Sequence, residues 1–329
     1  MKKDALNIVF MGTPDFAVPV LDAVVKAGYN VVAVVTVPDK PAGRGKKLRP
    51  SPIKEYALEH GLNLLQPEKL RDTVFVDKLK ELKPDLQIVV AFRMLPKVVW
   101  EIPAKGTFNL HASLLPQYRG AAPINYAIIN GEKETGLTTF FIDEKIDTGN
   151  IILQQKIKID EEDDFKSLHD KMMMEGAALV LKTIELIKRD DVQLINQNEL
   201  IKKGEPLKTA PKILKDDCRI DWDKPVTQVY NFIRGLSPWP VAYTNISDET
   251  GKEYYVKVFK VTKHIENHKY DPGEIETDNK SFINVYCQDG FVNIEELQMA
   301  GKKRMKVGEL LRGFSFLGKV KVVTSSNNK

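Results

Sequence analysis

Asn109 and His111 stand two residues apart in the stretch Gly106-Thr107-Phe108-Asn109-Leu110-His111-Ala112-Ser113-Leu114-Leu115-Pro116. On an extended chain residues i and i+2 point to the same side, so a carboxamide and an imidazole enter one pocket while Leu110 faces the opposite layer. An amide N–H and a protonated imidazole can both donate to a carbonyl oxygen that turns negative during acyl transfer. The imidazole can also move a proton near neutral pH. The competing reading is a structural histidine at a strand end, so the assignment needs support from the rest of the chain. Asp147 offers an acid in the Gly-containing loop Asp143-Glu144-Lys145-Ile146-Asp147-Thr148-Gly149-Asn150, between two strand-like runs. An Asx-turn that merely organises the loop is its alternative role.

The elements that must position these groups follow from periodicity. Residues 6–11 read as a buried strand closed by Gly12-Thr13-Pro14, residues 16–26 as a helix stopped at Gly28, and residues 31–36 as a second strand. That strand, helix, strand order predicts a parallel βαβ unit and a doubly wound α/β sheet. A helix at 53–59, a strand at 62–65, a helix at 68–82 and a central strand at 85–92 continue it. The strand at 85–92 exits through Arg93-Met94-Leu95-Pro96, at the carboxyl edge where open sheets bind ligands. The strand carrying Asn109 and His111 ends at the same edge, and the turn 113–116 has no strand partner for its backbone groups, which leaves them for a ligand or water. Further on, 124–130 and 163–189 read as helices, and 138–142 and 151–159 as strands. From 190 to 210 the pattern dissolves into polar residues, as in an interdomain linker. Short alternating runs at 256–261, 283–287 and 291–295 then suggest a small β-barrel. The domains are thus expected at 1–189 and 211–329.

With 329 residues two domains are expected, because single cores seldom grow much beyond about 250 to 300 residues. A hydrophobic fraction of 43% and a charged fraction of 29% describe an ordinary globular protein. No apolar run approaches the roughly 18 residues of a membrane helix, and the short polar lead-in Met1-Lys2-Lys3-Asp4 to the first strand gives no expectation of a secretory signal. Cys218 and Cys287 lie far apart without metal-ligand spacing, which points to reduced thiols in a cytoplasmic protein with no metal site. The net charge of +4 is mild, but its distribution is uneven. Residues 40–54 hold six basic side chains and no acidic one, and residues 300–329 hold eight against a single acid, Glu309. Two such segments suit a polyanion, although either alone is more often a solvated surface.

Taken together these residues resemble the methionyl-tRNA formyltransferases over nearly the whole chain. The carriers are Phe10-Met11-Gly12-Thr13-Pro14-Asp15-Phe16-Ala17, Pro41-Ala42-Gly43-Arg44-Gly45-Lys46-Lys47-Leu48, Asn109-x-His111-x-Ser113-Leu114-Leu115-Pro116, Arg119-Gly120-Ala121-Ala122-Pro123, Asp147-Thr148-Gly149, Ile220-Asp221-Trp222 and Pro238-Trp239-Pro240. The Asn, His, SLLP and Asp set marks a wider family that uses 10-formyltetrahydrofolate, including glycinamide ribonucleotide formyltransferase; the basic loop and the C-terminal region narrow it to the tRNA enzymes. The resemblance implies a Rossmann-like N-terminal domain, an OB-like C-terminal barrel, and formyl transfer from 10-formyltetrahydrofolate to the α-amino group of initiator methionyl-tRNA. By carry-over Asn109, His111 and Asp147 are catalytic. Ser113, Leu114, Leu115 and Pro116, with Arg93 and Leu95, lie against the folate. Arg44, Lys46, Lys47 and Arg49 approach the tRNA. No metal is required, and the protein is expected to act as a monomer. The sequence departs from the family pattern at Ala91-Phe92-Arg93-Met94-Leu95-Pro96, where tRNA enzymes often read A-Y-G-x-x-L-P; Arg93 looks more like the glycinamide ribonucleotide enzyme.

Three rivals remain. A formyltransferase acting on an amino-sugar nucleotide shares the trio and the two-domain plan but has little use for six clustered cations. A non-catalytic RNA-binding protein needs no convergence of Asn109, His111 and Asp147. An NAD oxidoreductase is disfavoured because the first turn lacks G-x-G-x-x-G, although Asp39 stands where a ribose-binding acid would. Trp222 and Trp239 are expected to pack in the barrel rather than stack on nucleotides.

Overall fold

The computed structural model describes residues 6–42, 47–201 and 204–323. The chain divides into two compact units. The first comprises Met1–Gly120, Thr135–Lys158 and His169–Thr209, and the second Ala121–Glu134, Ile159–Leu168 and Ala210–Lys329.

In chain order the elements begin with β1 (Asn7–Gly12), α1 (Val18–Lys26), β2 (Asn30–Val35), β3 (Lys40–Ala42), β4 (Lys47–Arg49), α2 (Pro52–Glu59), β5 (Leu64–Leu65), α3 (Thr73–Glu81) and β6 (Leu86–Val90). They continue with α4 (Lys97–Trp100), β7 (Thr107–His111), β8 (Arg119–Gly120), α5 (Pro123–Ile129), β9 (Glu134–Phe141), β10 (Ile151–Lys158) and α6 (Phe165–Lys188). Local chemistry sets the helix starts. Ser51 accepts from the Lys54 amide ahead of Pro52 at the head of α2, and Asp72 accepts from the Phe75 amide. That cap starts α3 at Thr73, several residues later than the apolar spacing suggested.

The sheet of the first unit runs β10-β9-β7-β6-β1-β2-β5. β1 pairs in parallel with both β2 and β6, and β6 in parallel with β7. The chain builds outward from β1 through β2 to β5, then returns to place β6 on the other side of β1. This puts a topological switch point at the carboxyl ends of β1 and β6, with β7 the next strand along. Every residue of β6 is buried, as a parallel strand covered on both faces requires. One face is packed by Val9, Met11, Ala33, Val35, Val89, Leu79 and Val99. Beyond β7 the sheet is no longer parallel, because β9 runs antiparallel with Phe108 opposite Phe141 and His111 opposite Thr138.

Two segments read as irregular have defined structure. β3 and β4 form an antiparallel ribbon with Lys40 opposite Arg49 and Pro41 opposite Leu48, so the basic stretch is a hairpin. Arg44 and Lys46 lie outside the described residues. Ile195 bridges Ile151 at the end of β10 through paired backbone hydrogen bonds of 2.9 and 3.0 Å. The first part of the span expected as a linker from 190 to 210 is thus paired with β10 at Ile151.

The second unit contains α5, the short strand β11 (Thr209–Ala210, of which it holds Ala210), α7 (Val226–Gly235), β12 (Ala242–Ser247), β13 (Glu253–Ile265), β14 (Glu274–Thr277), β15 (Ile283–Tyr286), β16 (Gly290–Met299), β17 (Met305–Lys306), α8 (Val307–Leu311) and β18 (Val320–Val322). Six strands close in the order β13-β12-β18-β14-β15-β16, and the pairing of β16 back onto β13 shuts the ring. All of these pairings are antiparallel. Alternate residues such as Val256 and Val258, Ile283 and Val285, and Val292 and Ile294 point inward to the core. This is the OB-like barrel the sequence implied. Trp222 is buried and donates its indole N–H to Thr244 Oγ1 at 3.1 Å, as expected of a packing residue. Trp239 differs, being 70% exposed. Among the described residues no helix is long and apolar enough to cross a membrane.

Candidate active site

His111 ends β7 with only 6% of its surface exposed. Its Nε2 lies 2.9 Å from the carbonyl oxygen of Tyr118. A carbonyl only accepts, so Nε2 carries the proton and the ring presents Nδ1 to the opposite side. On that side the Asp147 carboxylate oxygen Oδ2 lies 3.8 Å away. This is longer than a hydrogen bond, and a distance that a bound amine or water would bridge or that closure on substrate would shorten.

The position of Asp147 is set from several directions. Because β9 is antiparallel, the loop that follows it leaves the sheet at the level of Phe108, and it must turn back to bring Asp147 to His111. Asp147 adopts a left-handed backbone with φ 55°, which few non-glycine residues do. Its Oδ2 accepts the Gly120 amide at 2.9 Å, and Gly120 itself has φ 127°. Gly149 allows the loop to cross the chain, since a Cβ there would sit 1.7 Å from the Phe141 carbonyl oxygen. The Asx-turn in this loop is made by Asp143, which accepts from the Lys145 amide and the Thr148 hydroxyl, so Asp147 is left free of that duty.

Asn109 sits two residues before His111 on the same face of β7, half-buried, between Val89 and Phe140 on the neighbouring strands. Among the described residues no hydrogen-bond partner engages its carboxamide. The trio therefore comes together as spacing and loop chemistry suggested: one uncommitted amide, one imidazole with a single free nitrogen, and one anchored carboxylate.

The turn after β7 differs from expectation. Thr138 Oγ1 donates to the Ser113 carbonyl at 2.6 Å and accepts the Leu115 amide at 3.2 Å, while Gln154 Nε2 donates to the Leu115 carbonyl at 2.8 Å. Ser113 Oγ is bonded to the Gln117 carbonyl at 2.7 Å. The backbone groups read as available to a ligand are thus engaged by β9 and β10. Ser113, Leu115 and Pro116 are buried, and Leu114 is half-buried. Leu95 is 5% exposed in the core. Arg93 turns its guanidinium to the carbonyls of Glu68, at 2.8 Å, and Pro67, and burial lowers its pKa. It holds neighbouring loops together rather than presenting a charge. Asp39, the acid that could have bound a ribose, is paired with Lys54 at 2.7 Å and hydrogen-bonded to Gln66 at 3.1 Å.

Of the cationic hairpin, Lys40 and Arg49 are exposed and directly opposite each other. Like charges facing across a ribbon are destabilising by themselves. Neither has a salt bridge among the described residues. Residues not foreseen as part of the site include Thr138, Gln154 and Gln197, none of which belongs to a motif that carries the family resemblance.

The chain matches the Formyl transferase family over residues 6–184 and the Formyl transferase, C-terminal domain family over residues 212–315. It is 57% identical over 314 residues to a methionyl-tRNA formyltransferase of Bacteroides fragilis, covering 95% of this chain and 97% of that protein. With a methionyl-tRNA formyltransferase of Flavobacterium johnsoniae it shares 49% over 319 residues, covering 97% and 99%. Among solved structures, an N-formyltransferase of Helicobacter canadensis in complex with folinic acid and dTDP-3-aminofucose superposes with a TM-score of 0.64 at 22% identity, over 91% of this chain and 100% of that one. HypX from Aquifex aeolicus in complex with tetrahydrofolic acid gives 0.59 at 19% identity, over 97% and 51%. At such identities these superpositions speak for the fold alone. The sequence matches reach further, and by them the chain belongs to the formyl transferase family, with the methionyl-tRNA formyltransferases.

Proposed function

We propose that the protein transfers the formyl group of 10-formyltetrahydrofolate to the α-amino group of initiator methionyl-tRNA, with Asn109, His111 and Asp147 as the reacting machinery. The observation that carries the reading is the single free nitrogen of His111 turned toward an anchored carboxylate, beside an uncommitted amide.

A free α-amine titrates near about 7.7 to 8.0, so a neutral fraction is present without a strong base. The harder step is loss of amide-like resonance at the formyl carbon. As the amine attacks, the formyl oxygen becomes an oxyanion, which the Asn109 N–H and a protonated His111 Nδ1 stabilise; one such donor contributes about 3 to 4 kcal/mol in the transition state. The Asp147 carboxylate, 3.8 Å from Nδ1, is placed to take a proton from the attacking amine. The attacking amine must lose one proton and N10 must gain one before the N10–carbon bond breaks. Asp147 and His111, through water where the gap requires it, relay that proton, and the products are formyl-amide and tetrahydrofolate.

Residues 1–189 are proposed as the catalytic domain and 211–329 as a tRNA-binding domain. In the hairpin, Lys40 and Arg49, with Arg44, Lys46 and Lys47, are proposed to meet the tRNA backbone, since a phosphate lying along the ribbon relieves the repulsion between opposed cations. Ser113, Leu114, Leu115 and Pro116, with Arg93 and Leu95, are proposed as the wall of the folate pocket, held by the bonds of Thr138 and Gln154 to the turn and of the Arg93 Nη atoms to Glu68 and Pro67. A monomer in the cytoplasm is proposed, consistent with two free buried thiols, Cys218 and Cys287.

The test is a competition between acceptors. Purified protein with 10-formyltetrahydrofolate is expected to formylate initiator methionyl-tRNA and to leave a dTDP-amino-sugar untouched. The opposite preference would overturn the assignment in favour of the sugar nucleotide.

A further inference from the structure

Gln197 lies in the polar stretch that reads as a linker, yet it is 1% exposed. Its Nε2 donates to two carbonyls of the catalytic loop, Asp147 at 2.9 Å and Gly149 at 2.8 Å. Its Oε1 accepts from Arg119 twice, Nε at 3.1 Å and Nη2 at 2.6 Å. Both donors and both lone pairs of the amide are therefore used. The reverse orientation would set N–H groups against a guanidinium and an oxygen against two carbonyls, so only one orientation is allowed. Gly120, next in the chain after Arg119, holds Oδ2 of the same Asp147. The four residues close a ring in which the Asp147 backbone is gripped from one side and its carboxylate from the other.

From this ring we infer that Gln197 is a positioning residue for formyl transfer, holding the loop of Asp147 in the left-handed conformation that brings the carboxylate to His111. A non-glycine residue at φ 55° lies outside the commonly populated backbone regions, and relaxing into one of them would re-aim the Asp147 carboxylate. Two hydrogen bonds from one buried amide to carbonyls on either side of Thr148 remove those alternatives. Gln197 in turn is held by the bridge of Ile195 to Ile151 and by the turn in which Asn196 Oδ1 accepts the Asn198 amide. The inference rests on the proposed function for its kinetic reading but not for its structural one.

Two variants separate the halves of the amide. Gln197→Glu keeps acceptors for Arg119 but sets a carboxylate oxygen against the two loop carbonyls. Gln197→Met removes both sets of bonds at similar volume, and serves if the charged variant does not fold. In each folded variant, hydrogen exchange at the Gly120 amide, whose acceptor is the positioned carboxylate, is expected to accelerate at least tenfold relative to amides of the β6 strand. The kcat for methionyl-tRNA is expected to fall at least tenfold with KM for tRNA little changed, because misplacing a reacting group by about 1 Å can cost about a hundredfold. Unchanged Gly120 protection in Gln197→Met overturns the inference whatever the substrate. Wild-type protein that fails to formylate methionyl-tRNA, with Gly120 deprotected in the variants, would instead reject the function and keep the clamp.

Discussion

The Nε2–H of His111 is given to the backbone of Tyr118 at 2.9 Å, and this one bond decides which face of the ring does chemistry. Nδ1 is left as the uncommitted ring nitrogen, 3.8 Å from the Asp147 carboxylate. An acceptor that is backbone cannot be removed by a side-chain substitution, so the ring orientation should survive most changes at the site.

Replacing Asp147 by Asn keeps an oxygen for the Gly120 amide and removes the charge. Turnover is expected to drop about 10²- to 10⁴-fold, the range of a proton-transfer group, with the thermal midpoint unmoved. Steady-state kinetics beside a melting curve checks this, and full activity would take Asp147 out of the mechanism.

Asn109→Ala deletes an oxyanion donor that no neighbour competes for. A kcat loss of about 10²- to 10³-fold is expected at near-constant KM. A rise in KM alone would mean that Asn109 binds the ground state and not the transition state.

At Gly149 a methyl group would lie 1.7 Å from the Phe141 carbonyl oxygen, a backbone atom with no freedom to yield. Gly149→Ala should destabilise the protein by about 1 to 3 kcal/mol and lower kcat as well, because the displaced loop carries Asp147. Chemical denaturation and activity should fall together; a drop in stability at full activity would show that the loop can shift without moving its acid.

The exposed cations Lys40 and Arg49 face each other on the hairpin. The double change to alanine should raise KM for tRNA and flatten the salt dependence of binding by about one unit of log–log slope for each phosphate no longer neutralised. KM for the folate should hold. Equal effects on both substrates would place the hairpin elsewhere in the cycle.

Burial pushes the Cys287 thiol up to about 12, with Asp289 adding to it, and raises Cys218 as well. Raised values favour the neutral thiol, so the reactive thiolate is scarce at pH 8. Native protein should resist alkylation between pH 7 and 9 and expose two thiols on unfolding. Rapid modification of the folded enzyme would contradict the buried barrel core.

Patterns that depend on neighbouring residues could be read directly. The βαβ opening, the shared face of Asn109 and His111, and the alternating runs of the barrel all follow from the fixed periods of helix and strand. The hairpin at 40–49 did not show itself, since a run of prolines, glycines and cations carries no alternation. The roles of Ile195 and Gln197 within the expected linker were equally hidden, since nothing in the local composition says which remote strand or loop they meet. The availability of the turn after β7 was misjudged for the same reason. Thr138 and Gln154, which occupy its backbone groups, are far along the chain.

The amino-acid order by itself determined which groups could react, because side-chain chemistry and the two-residue period of a strand are properties of a few adjacent residues. Tertiary structure alone decided that the imidazole works through Nδ1, that Asp147 is held from both sides, and that a glutamine in an apparent tether does part of the holding. The first depends on a bond across the seven residues from His111 to Tyr118 and the other two on hydrogen bonds between segments remote in the chain, whose partners are selected only when burial forces every polar group to find one.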